Sequence, residues 1–280
     1  MKGERFVLHR GSPGYPAQLA ETPDPPKVLY GIGDPEALVP GLAIVGARDA
    51  TPYGIRATRL LAGWAGGNGI TVISGAAIGC DREAHTAALE AGGSSVAVLG
   101  CGADVDYPRR SAPILAEMRE RFAVVSECPF GQQPLRFAFA RRNRIIAGLA
   151  SAVLVVEAGL PSGTFGTADA ALDAGRDVLA VPGSIFSPES RGSNRLIRQG
   201  AAVVNDVSDL AASLGVPCQR LVIADAEHGG VVRALTADPM RPDDLARDLG
   251  IDIVQMARTL GVLEARGLIA RYADGRYGIV

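Results

Sequence analysis

The stretch LRFAFARRNRII, residues 135–146, sets four arginines and two phenylalanines ahead of an apolar segment. No Asp or Glu occurs between Glu127 and Glu157, although the whole chain carries 30 acidic residues against 28 basic ones. Guanidinium groups bind phosphates through paired hydrogen bonds, and aromatic rings stack on unpaired bases. Arg136, Phe139 and Arg142 follow one another at intervals of three residues, and this pattern favours a site for a single-stranded nucleic acid.

Short, continuous apolar runs alternate with helical stretches along most of the chain. The predicted strands cover residues 42–45, 71–74, 95–99, 123–126, 152–156 and 178–181, with a weaker strand at 201–204. The predicted helices cover residues 53–68, 81–91, 111–121, 142–149, 163–174 and 194–199. Continuous apolar strands are typical of sheets buried on both faces. The sequence therefore predicts an α/β fold with a doubly wound, mostly parallel, Rossmann-like sheet.

Three further loops follow predicted strands, and ligands of such sheets bind at the carboxyl ends of the strands. Arg48 follows the first strand, where its guanidinium can take a phosphate. Ser74 and Gly75 follow the second strand and would let backbone N–H groups approach an anion. The loop after the fifth strand opens a helix with a small polar triplet, Ser162, Gly163 and Thr164. All these residues are predicted to line one edge of the sheet.

Each of these features also has a purely structural explanation. Arg48 is compatible with a solvated loop, and the glycines after residue 74 with a tight turn. Ser162 or Thr164 is compatible with a helix N-cap, and Phe139 with a place in the core. The coincidence of several such loops at one edge favours the binding interpretation.

Composition and spacing argue against several other classes of protein. A hydrophobic content of 48% with 21% charged residues is ordinary for a soluble globular protein, and no apolar run reaches the ~18 residues of a membrane helix. The first residues lack the apolar centre of a signal peptide, so we expect a cytoplasmic protein that does not bind membranes. The four cysteines form no CxxC pair, which predicts neither a disulfide framework nor a zinc site.

Catalytic and cofactor signatures are also missing from the predicted loops. A GxGxxG fingerprint is absent after the first strand, because Gly46 and Gly54 stand eight residues apart. Asp81 and His85 have helical i, i+4 spacing but no third ligand, so we predict a capping Asp and a packed His rather than a metal site. We find no Ser-His-Asp arrangement, P-loop or paired carboxylates, and we predict a protein that is not an enzyme and has no cofactor.

The domain organisation follows from changes in composition. Residues 1–40 are predicted to be a Pro/Gly-rich lead-in packed on the core, residues 41–216 the Rossmann-like binding domain, and residues 217–224 a linker. Residues 225–280 predict a winged helix, with helices at 226–235, 242–249 and 252–266 and a hairpin turning at Asp274 and Gly275. Seven arginines against nine acids in residues 222–280 predict weak or no duplex DNA binding, and favour protein contacts or dimerisation.

Several blocks in one order resemble a known family. The runs AIVGAR, ISGAAIGCDREAH, AVLGCGADVDYP, FARRNRIIAGL, VVEAGLPSGTFGTADAAL, GRDVLAVPG and SNRLIRQGA resemble the DNA-processing protein A family (DprA, also called Smf) over about residues 13–210. The resemblance implies a cytoplasmic homodimer that binds incoming single-stranded DNA during natural transformation. It also implies loading of the RecA recombinase on that DNA, with help in displacing single-strand-binding protein.

The resemblance also implies a set of DNA-binding residues. The matching positions are Arg48, Ser74, Gly75, Arg136, Phe139, Arg142, Asn143, Arg144, Ser162, Gly163 and Thr164. Two positions depart from the family pattern, since Ala140 stands where Pro is usual and Cys80 where Ile is usual. These departures leave the ligand groups in place but make the loop before Arg141 less rigid.

Two other interpretations stay open at this point. One is a nucleotide-binding enzyme similar to the phosphoribohydrolases, which share a related fold and carry PGGxGTxxE. The run PSGTFGTADAA has one residue too many for that motif and lacks its catalytic acid. The other interpretation is transcriptional regulation through the winged helix.

Overall fold

The computed structural model describes residues 3–217, 228–265, 268–272 and 274–279. The chain divides into two compact units, Met1–Cys218 and Gln219–Val280. The predicted linker at 217–224 lies outside the described residues from position 218 onward, as does the predicted start of the helix at 226.

A nine-stranded sheet forms the centre of the first unit, counted over its described residues. The strands are β1 (Arg5–His9), β2 (Val28–Gly33), β3 (Gly41–Val45), β4 (Val72–Ser74), β5 (Ser95–Val98), β6 (Ala123–Ser126), β7 (Ala150–Val155), β8 (Asp177–Ala180) and β9 (Ala202–Val203). Their order is β1-β2-β6-β5-β4-β3-β7-β8-β9. Strands β3 to β9 pair in parallel, and only β2 runs antiparallel to its neighbours β1 and β6. The predicted doubly wound, mostly parallel sheet is confirmed.

Helices cover both faces of this sheet. They are α1 (Ala17–Ala20), α2 (Pro52–Gly67), α3 (Cys80–Glu90), α4 (Ala112–Arg121), α5 (Arg136–Leu149), α6 (Phe165–Asp173), α7 (Arg191–Arg198) and α8 (Val207–Ser213). Successive residues of β3 enter opposite layers: Ala43 and Val45 pack in one hydrophobic cluster, and Leu42 and Ile44 in another. This double burial explains why the strands read as unbroken apolar runs.

Residues 1–40 contain more regular structure than the sequence indicated. They supply β1 and β2, neither of which was predicted, and their Leu19 and Leu29 are fully buried in the main core. Side chains along β1 alternate between exposed and half-buried positions, and its apolar run, Phe6–Leu8, is only three residues long and flanked by Arg5 and His9.

The second unit has the predicted winged-helix architecture. Its elements are α9 (Gly229–Ala237), α10 (Pro242–Leu249), α11 (Ile253–Ala265), β10 (Ile269–Arg271) and β11 (Tyr277–Ile279), and the two strands pair antiparallel. The predicted helix at 242–249 coincides with α10, which ends at Gly250 in the left-handed region at φ +63°. On α11, Met256, Leu260 and Leu263 are buried, whereas Ile253 is exposed. In neither unit does a described helix combine the length and apolar character that crossing a bilayer requires.

Candidate nucleic-acid interface

Strand order reverses at β3, because β4, β5 and β6 extend the sheet on one side of it and β7, β8 and β9 on the other. Such reversal points open a crevice at the carboxyl ends of the strands. A cleft of about 660 Å³ lies there, which we call the switch-point cleft. The residues that line it include Arg48, Asp81, Arg136, Phe139, Arg142, Asn143, Ser162, Gly163 and Thr164.

Two exposed arginines supply accessible positive charge at the cleft. Arg48 lies in the loop between β3 and α2, and Arg136 is the first residue of α5. Neither forms an ion pair within the described part of the chain. The loop of Arg48 is fixed by Glu157, a buried acid whose carboxylate accepts hydrogen bonds from the Thr51 amide (2.8 Å) and hydroxyl (2.7 Å). Both guanidinium groups are therefore free to bind an anion.

The aromatic ring of Phe139 lies in the same cleft as these two arginines. Phe139 is half-buried, and its ring lies 5.3 Å from the Tyr107 ring, centroid to centroid. Gly100, two residues after the end of β5, lies against the Phe139 ring. A Cβ added at this position would lie 2.8 Å from the ring, so glycine is required there. No pattern in the sequence marked Tyr107 as part of this site. It lies in the loop that follows β5, next to the exposed arginines Arg109 and Arg110.

Arg142 differs from Arg48 and Arg136, because its side chain is built into the floor of the cleft. The residue is 5% exposed, and its guanidinium donates hydrogen bonds to the carbonyls of Gly75 (2.8 Å) and Val98. Asp81 is also buried and accepts a hydrogen bond from the Gly75 amide at 3.2 Å. Burial raises the pKa of Asp81 and lowers that of Arg142, and the attraction between the two charges opposes both shifts.

Ser74 and Gly75 form part of the framework of the site and leave little to offer a ligand. The Ser74 hydroxyl is fully buried and donates to the Ile44 carbonyl at 2.6 Å, which ties β4 to β3. The Gly75 amide, predicted to approach an anion, is already bonded to Asp81. A Cβ at Gly75 would overlap the Arg142 guanidinium, so glycine at this position makes room for that side chain.

Arg144 lies outside the lining of the cleft. Part of the arginine cluster is neutralised by acidic side chains, which the absence of Asp and Glu from the stretch had not suggested. Arg144 pairs with Glu127 at 2.6 Å and with Asp24 at 3.2 Å. Arg141 also pairs with Glu127, at 3.2 Å. Glu127 directly follows β6, just before the acid-free stretch begins. Helix α5 places the arginines of that stretch within reach of its carboxylate. Asp24 comes from the first 40 residues, which no local pattern connects to α5.

The turn before α6 meets α5 across the cleft. Asn143 donates from its amide nitrogen to the Gly163 carbonyl at 3.5 Å, and the Thr164 amide donates to the Ser162 hydroxyl at 3.2 Å. Helix α6 begins at Phe165, two residues later than predicted. Ser162, Gly163, Thr164 and Asn143 are thus brought together with Arg48, Arg136 and Phe139, as the loop argument predicted.

The spacing of Asp81 and His85 does not produce a metal site. His85 is fully buried, and its Nδ1 lies 2.7 Å from the Ser95 hydroxyl. Burial lowers the pKa of His85 to about 3, which keeps the imidazole neutral. Within the described ranges, no three His, Cys, Asp or Glu side chains are grouped so that they can hold a metal ion.

Comparisons with known proteins point in one direction. Residues 6–215 match the family model described as DNA recombination-mediator protein A, and residues 209–275 match the DprA winged helix domain. Protein Smf of Escherichia coli K12 is 46% identical over 202 residues, which cover 71% of this chain and 54% of that protein. DNA processing protein DprA of Streptococcus pneumoniae R6 is 40% identical over 200 residues, covering 71% of this chain and 70% of that one.

Two solved structures also resemble this chain. The X-ray structure of DNA processing protein A from Streptococcus pneumoniae has a TM-score of 0.71 at 38% identity, covering 75% of this chain and 74% of that one. A structure of DNA processing protein A from Helicobacter pylori, described by its single-stranded DNA binding mode, has a TM-score of 0.68 at 28% identity and covers 76% and 98%. The chain spans about half the length of the first curated relatives it matches, 54% and 52%.

Proposed function

Because this chain belongs to the DNA recombination-mediator protein A family, we propose that its switch-point cleft binds single-stranded DNA. The observation that carries the proposal is the Phe139 ring, which packs against Tyr107 and lies in the same cleft as Arg48 and Arg136, two arginines that form no ion pair with the described residues. Phosphates need the guanidinium groups, and a ring recessed in a cleft can stack only on a base that is not already stacked inside a duplex. A single strand offers both groups together.

The wider role we propose follows from the family. The protein protects incoming single-stranded DNA and loads a RecA-type recombinase on it during natural transformation, acting in the cytoplasm as a homodimer and against single-strand-binding protein. The resemblance of the sequence blocks to the family supports this role, and the cleft supports its DNA-binding step.

For the winged-helix unit we propose weak or no duplex binding. Helix α11, the third helix of the unit, exposes Ile253 (44%), Val254 (58%) and Val262 (40%). A helix that enters the major groove contacts phosphates and base edges with polar and basic side chains. These exposed apolar side chains of α11 and the excess of acids in residues 222–280 support contacts with protein instead.

We expect the first unit to keep most of the affinity for single-stranded DNA. A fragment of residues 1–218, checked for folding by circular dichroism, should bind a single-stranded oligonucleotide nearly as tightly as the full chain. Its binding should weaken steeply with salt, and a duplex of the same sequence should bind more weakly. Fluorescence anisotropy across a salt series measures all three. Equal or tighter binding by a folded fragment of residues 219–280 would contradict the assignment of the site.

We expect no release of free base from nucleoside monophosphates. The two buried acids near the cleft are engaged, Asp81 by the Gly75 amide and Glu157 by Thr51. Neither is free to act as a general acid or base. Chromatography of the incubated nucleotides tests this, with Asp81→Asn as the control variant. Turnover that survives purification and disappears in Asp81→Asn would favour the phosphoribohydrolase alternative.

A further inference from the structure

A second exposed surface lies beside the switch-point cleft, in residues 182–190 between β8 and α7. At its tip Ile185 is 80% exposed and Phe186 is 89% exposed. Tyr53 (42%) and Leu160 (47%) are two more large exposed apolar side chains on the adjoining segments. We call these four residues the aromatic shelf. A group of large apolar side chains left in water in this way is typical of an interaction site.

The exposure of the tip does not come from a loosely held loop. The Asn194 side chain bonds both backbone groups of Gly183, accepting from its amide at 3.1 Å and donating to its carbonyl at 3.0 Å. The Tyr53 hydroxyl donates to the Pro182 carbonyl at 2.5 Å. Because the base of the loop is fixed, a ligand that contacts Phe186 has little backbone entropy to remove, as in preorganised binding sites.

The shelf is continuous with the wall of the cleft. Gly159 lines the cleft, and a Cβ added there would lie 3.7 Å from the Pro188 carbonyl. The Gly192 amide donates to the Ala158 carbonyl at 2.6 Å, so the end of the loop is bonded to the segment that leads into the cleft. Both surfaces also share the carboxyl edge of the sheet, because they follow the adjacent strands β7 and β8.

Exposed positive charge lies between the two surfaces. Arg191 and Arg195 are one turn apart on α7, and both are exposed. The Arg195 guanidinium lies 5.7 Å from the centre of the Phe165 ring, and Phe165 follows Thr164 of the cleft. Neither arginine forms an ion pair within the described residues. The region between the cleft and the shelf therefore suits a phosphate backbone.

From this arrangement we infer that the aromatic shelf is a second subsite for the strand held in the cleft, with a base stacked on Phe186. The inference rests on the proposed single-stranded DNA binding and adds where the strand continues. The shelf is continuous with the cleft, and α7 adds exposed arginines nearby. Both features favour a nucleic acid as the ligand of the shelf. Stacking on a ring face tolerates any base, which suits binding without sequence preference.

The test compares oligothymidylates of increasing length by fluorescence anisotropy. Short oligomers that fill only the cleft should bind Phe186→Ala as they bind the wild type. Longer oligomers should bind Phe186→Ala about 5- to 160-fold more weakly, the loss expected for one stacked base. Phe139→Ala should weaken binding at every length. Leu172→Ala is the matched control, since Leu172 is 65% exposed near the opposite end of α6.

Two further variants separate stacking from general apolar contact. Phe186→Leu keeps an apolar side chain without a ring and should lose the long-oligomer affinity, whereas Phe186→Trp should keep it. The emission of the new tryptophan should be quenched by long oligomers, with Phe186→Trp/Trp64→Phe as the variant that removes the chain's only native tryptophan.

Three outcomes would be decisive against the inference or its premise. Wild-type affinity of Phe186→Ala for every oligomer length would overturn the shelf. A wild-type dimer that becomes a monomer in Phe186→Ala, with unchanged DNA affinity for each protomer, would make the shelf a contact between copies and would also overturn it. Absence of single-stranded DNA binding by the wild type at any length would instead remove the proposed function itself.

Discussion

Arg142→Met is expected to lower the free energy of unfolding of the first unit by about 3–5 kcal/mol, the loss typical of removing one partner from a buried charged arrangement. The substitution leaves the carbonyls of Gly75 and Val98 without their donor and Asp81 without its nearby positive charge. Buried acceptors that lose a hydrogen bond account for part of the cost, about 1–3 kcal/mol for each group.

Urea denaturation followed by tryptophan fluorescence measures this change. Trp64 is the only tryptophan of the chain and lies on α2, so its emission reports on the first unit alone. Arg48→Ala is the matched control, because it removes an exposed arginine from the same cleft and should change stability by no more than about 0.5 kcal/mol. A fully stable Arg142→Met with reduced DNA affinity and a flatter salt dependence would show instead that Arg142 contacts phosphate.

The double variant Arg48→Ala/Arg136→Ala should flatten the dependence of log K on log salt by about 1.4, since each phosphate contact on a single strand contributes about 0.7 to the slope. Both arginines are exposed in the cleft and unpaired among the described residues, so removing them should not unfold the protein. Anisotropy titrations at several salt concentrations give the slope, and the melting temperature checks the fold.

Arg144→Ala provides the control for this experiment. It removes the same charge from the same helix, but Arg144 is paired with Glu127 and Asp24 and lies outside the lining of the cleft. We therefore expect its salt slope to match that of the wild type. Phe139→Ala should cost about 1–3 kcal/mol of binding free energy with little change in slope. Equal slopes in the double variant and in Arg144→Ala would rule out the phosphate contacts proposed for the cleft.

Three arginines of one short stretch thus have three different surroundings. Arg136 is exposed, Arg142 is buried beneath the cleft, and Arg144 is paired with acids. Within a helix, positions separated by six or eight residues face different neighbours, so identical side chains meet different dielectric environments and different partners. Of the three, Arg136 alone is both exposed and without an ion pair among the described residues, which is what the proposed phosphate contact requires.

The class of fold and the edge of the sheet that carries the cleft could be predicted from the sequence alone. Unbroken apolar runs such as residues 42–45 report burial on both faces, and their alternation with helices implies parallel crossovers. Parallel strands bring their carboxyl ends to one edge, so Arg48, Ser162 and Arg136 had to converge once the strands were located. Helix α10 was also predicted to the residue, because Pro242 and Gly250 mark its ends locally.

The contacts of each side chain at that edge could not be predicted in this way, because they depend on segments far apart in the sequence. Glu127 and Asp24 neutralise Arg144, although they lie 17 and 120 residues away in sequence. The Gly75 amide donates to Asp81, and the Gly75 carbonyl accepts from Arg142. The sequence had predicted that this amide would approach an anionic ligand. Strand β1 joins the sheet through pairing with β2, although its own apolar run is only three residues long. Charge partners and hydrogen-bond partners of this kind come from distant segments, so no pattern within one segment can specify them.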